Sequence, residues 1–575
     1  MIDIRSIGST PFVRWTAGLL LIAGIGLMLI ARFQNVNPVV FPFLQMAADP
    51  SLYAADVYLR NAIVAGSSPL FPLLAAVRFD ITQPAPVVAL YLLAAALGGW
   101  AVHRLLTEAL GVRDRLTALM LLFLAIFADA KLMAFHKGGW IFEHNFSLTM
   151  LAATGRLWFV YAALTGRSLL MTAVLIPINL FTFKVGWPLV LIAGALMLWR
   201  RERAPWPWLL LALSMVGPAW AALSGSADLS MQEARAVLDT LKAAHATEDD
   251  PFAISWASKL LFAGGVAFLA WRATAFPEPV RSTLRVTAAV SVAIFVGGGL
   301  YLALSALLPP VPAVVLLSPA RALETATLLA YLLALVEVAR ARSLKATEKV
   351  PLLLALAILK VTPDLTWIAL ALALTLAAGA VWVVRTWAER RVPIVGRLAS
   401  GLSLPLLIGL AAPLMGAVFA LNLTGGRMVH VYQTGLGFRD ASIPAEAATM
   451  LAAMRQEQAD RRRVFIRPIG DGWEAVVWNG YARSSGMVGD VYYLPTPALI
   501  ERQTRMNTLV GRLVAELESG RVSAVTAVGL GRCHAHLVAP RSAAPALPGW
   551  TVVKPYGGWA EFKPPPTDDP AAAVC

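Results

Sequence analysis

Between residues 34 and 83 a mixed polar stretch follows the first long apolar run and carries Asp49-Pro50-Ser51-Leu52-Tyr53, then Asp56 and Arg60. A carboxylate held near a bound hydroxyl can take its proton, so this segment has the residues for general-base chemistry. Asp49-Pro50 has the form of a helix N-cap followed by proline at the first helical position. The spacing therefore predicts a short surface helix starting at Asp49, with Asp49, Tyr53, Asp56 and Arg60 sharing one face. In such a helix the two acids stand about 10 Å apart along the axis, too far to share a proton, which gives them separate roles. Two readings stay open: Asp49 only caps while Asp56 only pairs with Arg60, or Asp49 is the general base.

A second polar segment, His136 to Asn145, sets Lys137, Glu143 and His144 among glycine and aromatic residues. Its histidines and glutamate match no specific metal-ligand spacing, so metal ligation, contact with a phosphate or sugar, and interfacial packing all remain available to it. Asp129 and Lys131, two residues apart, need partners on other helices if they lie in lipid. Lys184 with Trp187, and Arg321 with Glu324, fall at further turns that the topology below places on the side of Asp49. Lys137, Lys184 and Arg321 thus share one membrane face, where a phosphate would need such cations, arginine above all because its planar fork matches phosphate oxygens. The acidic loop 225–256 reads as a solvated amphipathic helix that could lid a cavity.

These residues are carried by a chain of 575 residues that is 58% hydrophobic and 14% charged, with a mean hydropathy of +0.67. Such a composition excludes an ordinary soluble domain and predicts an α-helical polytopic membrane protein. Apolar stretches at 12–33, 84–106, 116–134, 147–165, 168–185, 187–199, 205–224, 257–275, 286–308, 320–340, 350–361, 365–384 and 398–422 predict about thirteen transmembrane helices. The first, after Arg5 and Arg14 and without a small-residue cleavage site, reads as an uncleaved signal anchor.

With the N-terminus cytoplasmic, the clusters Arg104/Arg113/Arg115, Arg200/Arg201/Arg203, Arg281/Arg285, Arg340/Arg342/Lys345/Lys349 and Arg390/Arg391/Arg397 all fall inside. The net charge of +14 is thereby assigned to membrane topology, with no nucleic-acid partner. An odd number of crossings puts the C-terminus outside; an even number would return it to the cytoplasm.

After residue 423 the apolar runs shorten and charges become frequent, which predicts a small C-terminal α/β extracytoplasmic domain over 424–563 and a disordered tail over 564–575. Strands are expected at Arg463–Pro468, Trp473–Trp478, Val522–Val528 and Trp550–Val553, and helices at Pro444–Gln458 and Pro497–Ser519. Cys533 and Cys575 are too few and too far apart in sequence to read as a disulfide framework or a metal site, so no cysteine chemistry is expected.

The acidic first outer loop (34–83) within a transmembrane region spanning 1–423, the polar outer turns and the outer α/β domain together resemble the GT-C superfamily of integral membrane glycosyltransferases. The architecture matches over nearly the whole chain. The motif match is confined to Asp49-Pro50-Ser51-Leu52-Tyr53 and, more weakly, Arg321. The resemblance implies a GT-C-like fold in the cell inner (plasma) membrane. It also implies a polyprenyl-phosphate-linked sugar donor set among membrane lipid, and a glycan, lipid or protein acceptor. The catalytic acid falls on Asp49, with Asp56 as its alternate, and Tyr53, Arg60, Lys137, Glu143, His144, Lys184 and Arg321 would bind substrate. Many members of the superfamily have two adjacent acids in this loop where Pro50 stands here, so the metal stays unknown; some branches use a divalent cation as cofactor.

Two further readings compete with transfer. A polymerase or ligase of the O-antigen type works on lipid-linked sugars but relies on arginines in a large late outer loop. A lipid-linked-saccharide transporter or flippase predicts two related halves with broken helices, and no such halves are visible in the sequence.

Overall fold

The computed structural model describes residues 11–32, 35–36, 40–61, 70–78, 84–127, 145–146, 148–216, 230–245, 256–311, 317, 319–358, 365–391, 404–424, 445–456, 463–466, 478, 482, 485–488, 494 and 496–566. The helices that precede the C-terminal domain are α1 (Pro11–Arg32), α2 (Val40–Ala48), α3 (Val57–Asn61), α4 (Leu70–Ala76), α5 (Pro84–Arg104), α6 (Arg115–Phe127), α7 (Leu148–Leu164), α8 (Ser168–Ala173) and α9 (Leu175–Phe181). They continue as α10 (Phe183–Trp199), α11 (Pro205–Ser214), α12 (Met231–His245), α13 (Trp256–Ala273), α14 (Val280–Ala303), α15 (Ala322–Arg340), α16 (Ala346–Ile358), α17 (Leu365–Arg391) and α18 (Leu404–Thr424). A π-helical turn, Leu105–Ala109, extends α5.

Each expected span contains a described helix. Five stretches, Pro11–Leu29, Val88–Ala109, Val280–Ala303, Pro319–Arg340 and Ala369–Glu389, are long and apolar enough to cross a membrane, and six shorter apolar helices stand beside them. The chain is an α-helical membrane protein with a small C-terminal α/β domain.

Helices of hydrocarbon-facing composition gain little from hydrophobic exclusion in lipid, so close backbone approach must supply part of their attraction. The pairing of α1 with α18 shows this. A Cβ at Gly24 would lie 2.8 Å from the Ala412 carbonyl oxygen, one at Gly409 3.1 Å from Ala17, and one at Gly416 3.0 Å from the Gly24 carbonyl. Three glycines therefore let the first and last apolar helices touch backbone to backbone.

The connections between helices sort onto two faces. On one, Arg14 pairs with Asp114, Arg167 lies 3.7 Å from Glu108 and Arg340 donates to the Leu110 carbonyl. On the same face Arg200 donates to the carbonyls of Ala163 and Pro279, each at 2.9 Å. Basic side chains outnumber acidic ones there by more than two to one.

The opposite face joins the other set of connections. Here strand β1 (Asn35–Val36) pairs in parallel with β2 (Asn145–Phe146). Trp187 donates its indole N–H to the Leu317 carbonyl at 2.7 Å, and Lys242 of α12 reaches the Ser305 hydroxyl at 2.8 Å. The loops grouped by their lysines and arginines in the sequence are thus the loops that touch one another. The C-terminal domain docks on the face opposite Arg14.

That domain contains α19 (Ala445–Gln456), β3 (Arg463–Ile466), α20 (Pro497–Glu518), α21 (Ala524–Arg532), β4 (Ala535–Pro540), β5 (Thr551–Tyr556) and β6 (Trp559–Lys563). Its sheet has the order β3-β4-β6-β5, with β3 and β4 parallel and the other pairs antiparallel. Alternation divides the sheet: Phe465, Leu537 and Phe562 pack with α20, while Val464, Val538 and Trp559 face a core shared with α2, α3 and α19.

The expected helices and the strands near 463 and 551 are present. Of the expected strand Trp473–Trp478 only Trp478 is described. Val522–Val528, expected as a strand, instead enters helix α21. Ser523 caps it by accepting the Thr526 amide at 3.3 Å and is itself held by Glu516. A short apolar run does not by its pattern separate strand from helix, and here the cap decides.

Cysteine requires a correction as well. Cys533, 3% exposed, is disulfide-bonded, against the expectation of no cysteine chemistry. Cys575 lies outside the described residues.

Candidate active site

Helix α2 ends at Ala48, and the Asp49 amide closes its last turn on the Gln45 carbonyl at 2.8 Å. Asp49 therefore follows one helix instead of starting another, which corrects the expected surface helix and its shared face. Proline just beyond a helix end is as well accommodated as proline at a helix start. The Asp49 carboxylate accepts the Ser51 amide at 3.0 Å and the Ser51 hydroxyl at 2.7 Å, the side-chain-closed turn that aspartate favours. It stays solvent-exposed.

The next residues are turned inward. Tyr53 takes a left-handed backbone at φ 58°, is fully buried and donates its hydroxyl to the Gln45 side chain. A bulky residue in that region is strained and persists only where neighbours fix it. Arg60 supplies such fixing: it donates to the carbonyls of Pro50, Leu52 at 2.6 Å and Tyr53 at 3.2 Å. Asp56, expected in mid-helix, is the N-cap of α3. One oxygen accepts the Leu59 amide at 2.8 Å and the other accepts the Gly486 amide of the C-terminal domain at 2.8 Å.

Lys184 opens α10 and is buried; Arg321 stands at the N-cap of α15 and is partly buried. The Trp187 to Leu317 hydrogen bond brings the start of α10 against the segment leading to Arg321. Gly186 leaves the space that the Asn179 amide fills, a Cβ there falling 1.8 Å from Oδ1. The structure therefore gathers Asp49, Tyr53, Asp56 and Arg60 in one turn and sets Lys184 beside the Arg321 segment, both on the face away from the basic loops. Lys137, Glu143 and His144 lie outside the described residues, as do Asp129 and Lys131.

Arg156 escaped the sequence reading. It sits in the middle of α7, 1% exposed, paired at 2.5 Å with Glu324 of α15, also 1% exposed. The available signal was a lone arginine inside an apolar run, which lipid tolerates only with a partner.

The acidic loop's helix is present as α12. Its start is a capping box in which the Glu233 carboxylate accepts the Ser230 amide at 2.9 Å and the Ser230 hydroxyl accepts the Glu233 amide at 3.3 Å. Its apolar side, Val237 and Leu238, packs with Leu302 and Ile500. Among the described residues no three His, Cys, Asp or Glu side chains gather to hold a metal ion.

Fold and site together define a polytopic helical membrane protein with an exposed carboxylate turn under a docked α/β domain. No family model matches the chain, and no curated protein matches it. Among solved structures it is similar to ArnT from Cupriavidus metallidurans in the apo state, with 14% identity, a TM-score of 0.39, and coverage of 95% of this chain and 97% of that one. It is also similar to the same protein bound to undecaprenyl phosphate, with 12% identity, a TM-score of 0.37, and coverage of 96% and 98%.

Proposed function

We propose that the protein is an integral membrane glycosyltransferase that moves a sugar from a polyprenyl-phosphate donor to an acceptor hydroxyl on the non-cytosolic face of the membrane. The observation that carries this reading is Asp49: an exposed carboxylate on a turn immobilised by Ser51, Tyr53 and Arg60, on the face opposite the basic loops. Lysine and arginine concentrate on cytoplasmic loops, so the face of Asp49 reads as the outer one. A disulfide at Cys533 fits an oxidising compartment for the same face.

In the reaction the Asp49 carboxylate takes the acceptor hydroxyl's proton while that oxygen bonds to the anomeric carbon. The bond from that carbon to the phosphate oxygen breaks, and its electron pair leaves with the polyprenyl phosphate. Lys184 and Arg321 stabilise the departing phosphate. Asp49 then returns its proton to solvent.

Asp49→Asn tests the reading in purified protein given labelled polyprenyl-phosphate hexoses and pentoses. Transfer should fall by about a hundredfold or more, the usual contribution of a general base, while polyprenyl phosphate still binds. Unchanged transfer would remove the base assignment.

A further inference from the structure

We propose that the C-terminal domain is a working part of this site: it clamps the 49–61 turn through Asp56, which acts as a positioning residue while Asp49 does the chemistry. The proposal deepens the reading given above and rests on it.

Asp56 is 5% exposed, and its two oxygens serve the Leu59 and Gly486 amides. A carboxylate so engaged is ill placed to meet a substrate hydroxyl, yet charge-assisted bonds to backbone donors make it a strong tether. The tether ends on a rigid element. Ser485, next to Gly486, accepts the Val464 amide at 2.9 Å along the edge of β3, and its hydroxyl accepts the Ala55 amide at 3.2 Å. Loop and sheet edge are therefore joined at two successive residues on each side.

Packing reinforces the joint. Tyr53, Tyr58 and Leu59 share one buried core with Met450, Trp478 and Trp559 of the domain. The strained backbone at Tyr53 lies inside this joint, held by Gln45 of α2 on one side and by Arg60 of α3 on the other. Asp49 alone of the two acids projects to solvent.

The test compares Asp56→Ala, Asp56→Asn and Asp49→Asn in the full chain, by hydrogen exchange at the Leu59 and Gly486 amides and by transfer from the same donors. Asp56→Ala should speed exchange at both amides by about tenfold, the scale of a lost cap, and lower kcat comparably with KM unchanged. Asp56→Asn keeps one accepting oxygen and turns an NH2 donor toward the second amide, so the Leu59 amide should stay protected while the Gly486 amide exchanges about as fast as in Asp56→Ala and kcat falls comparably. Asp49→Asn should lower transfer by about a hundredfold or more with exchange unaltered.

Unchanged exchange in Asp56→Ala overturns the clamp, and faster exchange with full activity overturns its positioning role. Loss of transfer in Asp56→Asn as complete as in Asp49→Asn, with the Leu59 amide still protected, makes Asp56 a reacting group. If Asp49→Asn keeps transfer while the exchange results stand, the base assignment fails and the clamp survives.

Discussion

Arg156 and Glu324 form an ion pair inside the helix bundle, Nη1 to Oε2 at 2.5 Å, joining the middle of α7 to the first turn of α15. Taking two charges out of water is expensive, and breaking a buried pair by removing one member costs about 3–5 kcal/mol. Arg156→Met and Glu324→Leu should each lower stability by that amount, read as thermal unfolding in detergent. The double variant should recover most of the loss, because an apolar pair of similar volume leaves no buried charge. A double variant as unstable as the singles would show that the pair is held for geometry that methionine and leucine cannot supply.

Lys184 and Arg321 reach the same neighbourhood from α10 and α15, with Trp187 bonded to the Leu317 carbonyl between them. A phosphate held there makes charge-assisted hydrogen bonds, each worth roughly 1.5–3 kcal/mol. Lys184→Ala and Arg321→Ala should each weaken binding of polyprenyl phosphate by about ten- to a hundredfold by native mass spectrometry. Arg321→Lys should recover only part of the loss, since an ammonium lacks the planar fork. Binding indifferent to both alanine variants would place the phosphate elsewhere.

The spans and the sorting of loops onto two faces were legible because long apolar runs and the placement of lysine and arginine are one-dimensional signals. The local structure at Asp49 was not. Asp-Pro marks a helix start and also suits the turn after a helix end, and the choice depended on α2, which lies in a stretch read only as loop. Asp56 stood out in the sequence as a candidate acid, but its partner Gly486 stands 430 positions away. Glu324 was noticed and Arg156 was not, because a single charge in an apolar run carries no information about a partner 168 residues on. In the C-terminal domain β4 and β6 were missed; both lie within the sheet, buried on each face, and show no alternation of polar and apolar residues.

Cys533 gives a test of the proposed outer location of the domain. It is buried and disulfide-bonded, and such bonds persist where the surroundings are oxidising. In protein extracted under denaturing conditions with an alkylating agent present, Cys533 should remain unmodified, and it should become modified after reduction. Modification without reduction would contradict the bond and withdraw its support for an outer location of the domain.

Glu516 links the domain's stability to pH. Burial alone would push its carboxyl upward, but the Ser523 amide and the hydroxyls of Ser523 and Thr526 outweigh it and hold the group below the ordinary glutamate value. Those bonds, at 2.8, 2.8 and 3.0 Å, tie the end of α20 to the start of α21. A carboxyl whose value is lower folded than unfolded contributes its full stability above the unfolded value and loses it as pH falls through the folded one. The window therefore opens near pH 4.3, about the value of a free glutamate side chain, and extends below it. Hydrogen exchange at the Thr526 and Ala527 amides should quicken, beyond the intrinsic effect of pH, as the full chain is acidified through that window. Glu516→Gln should show faster exchange already at neutral pH and a flatter response to acid. A variant whose acid response matches that of the unaltered protein would assign the pH dependence to other carboxylates of the domain.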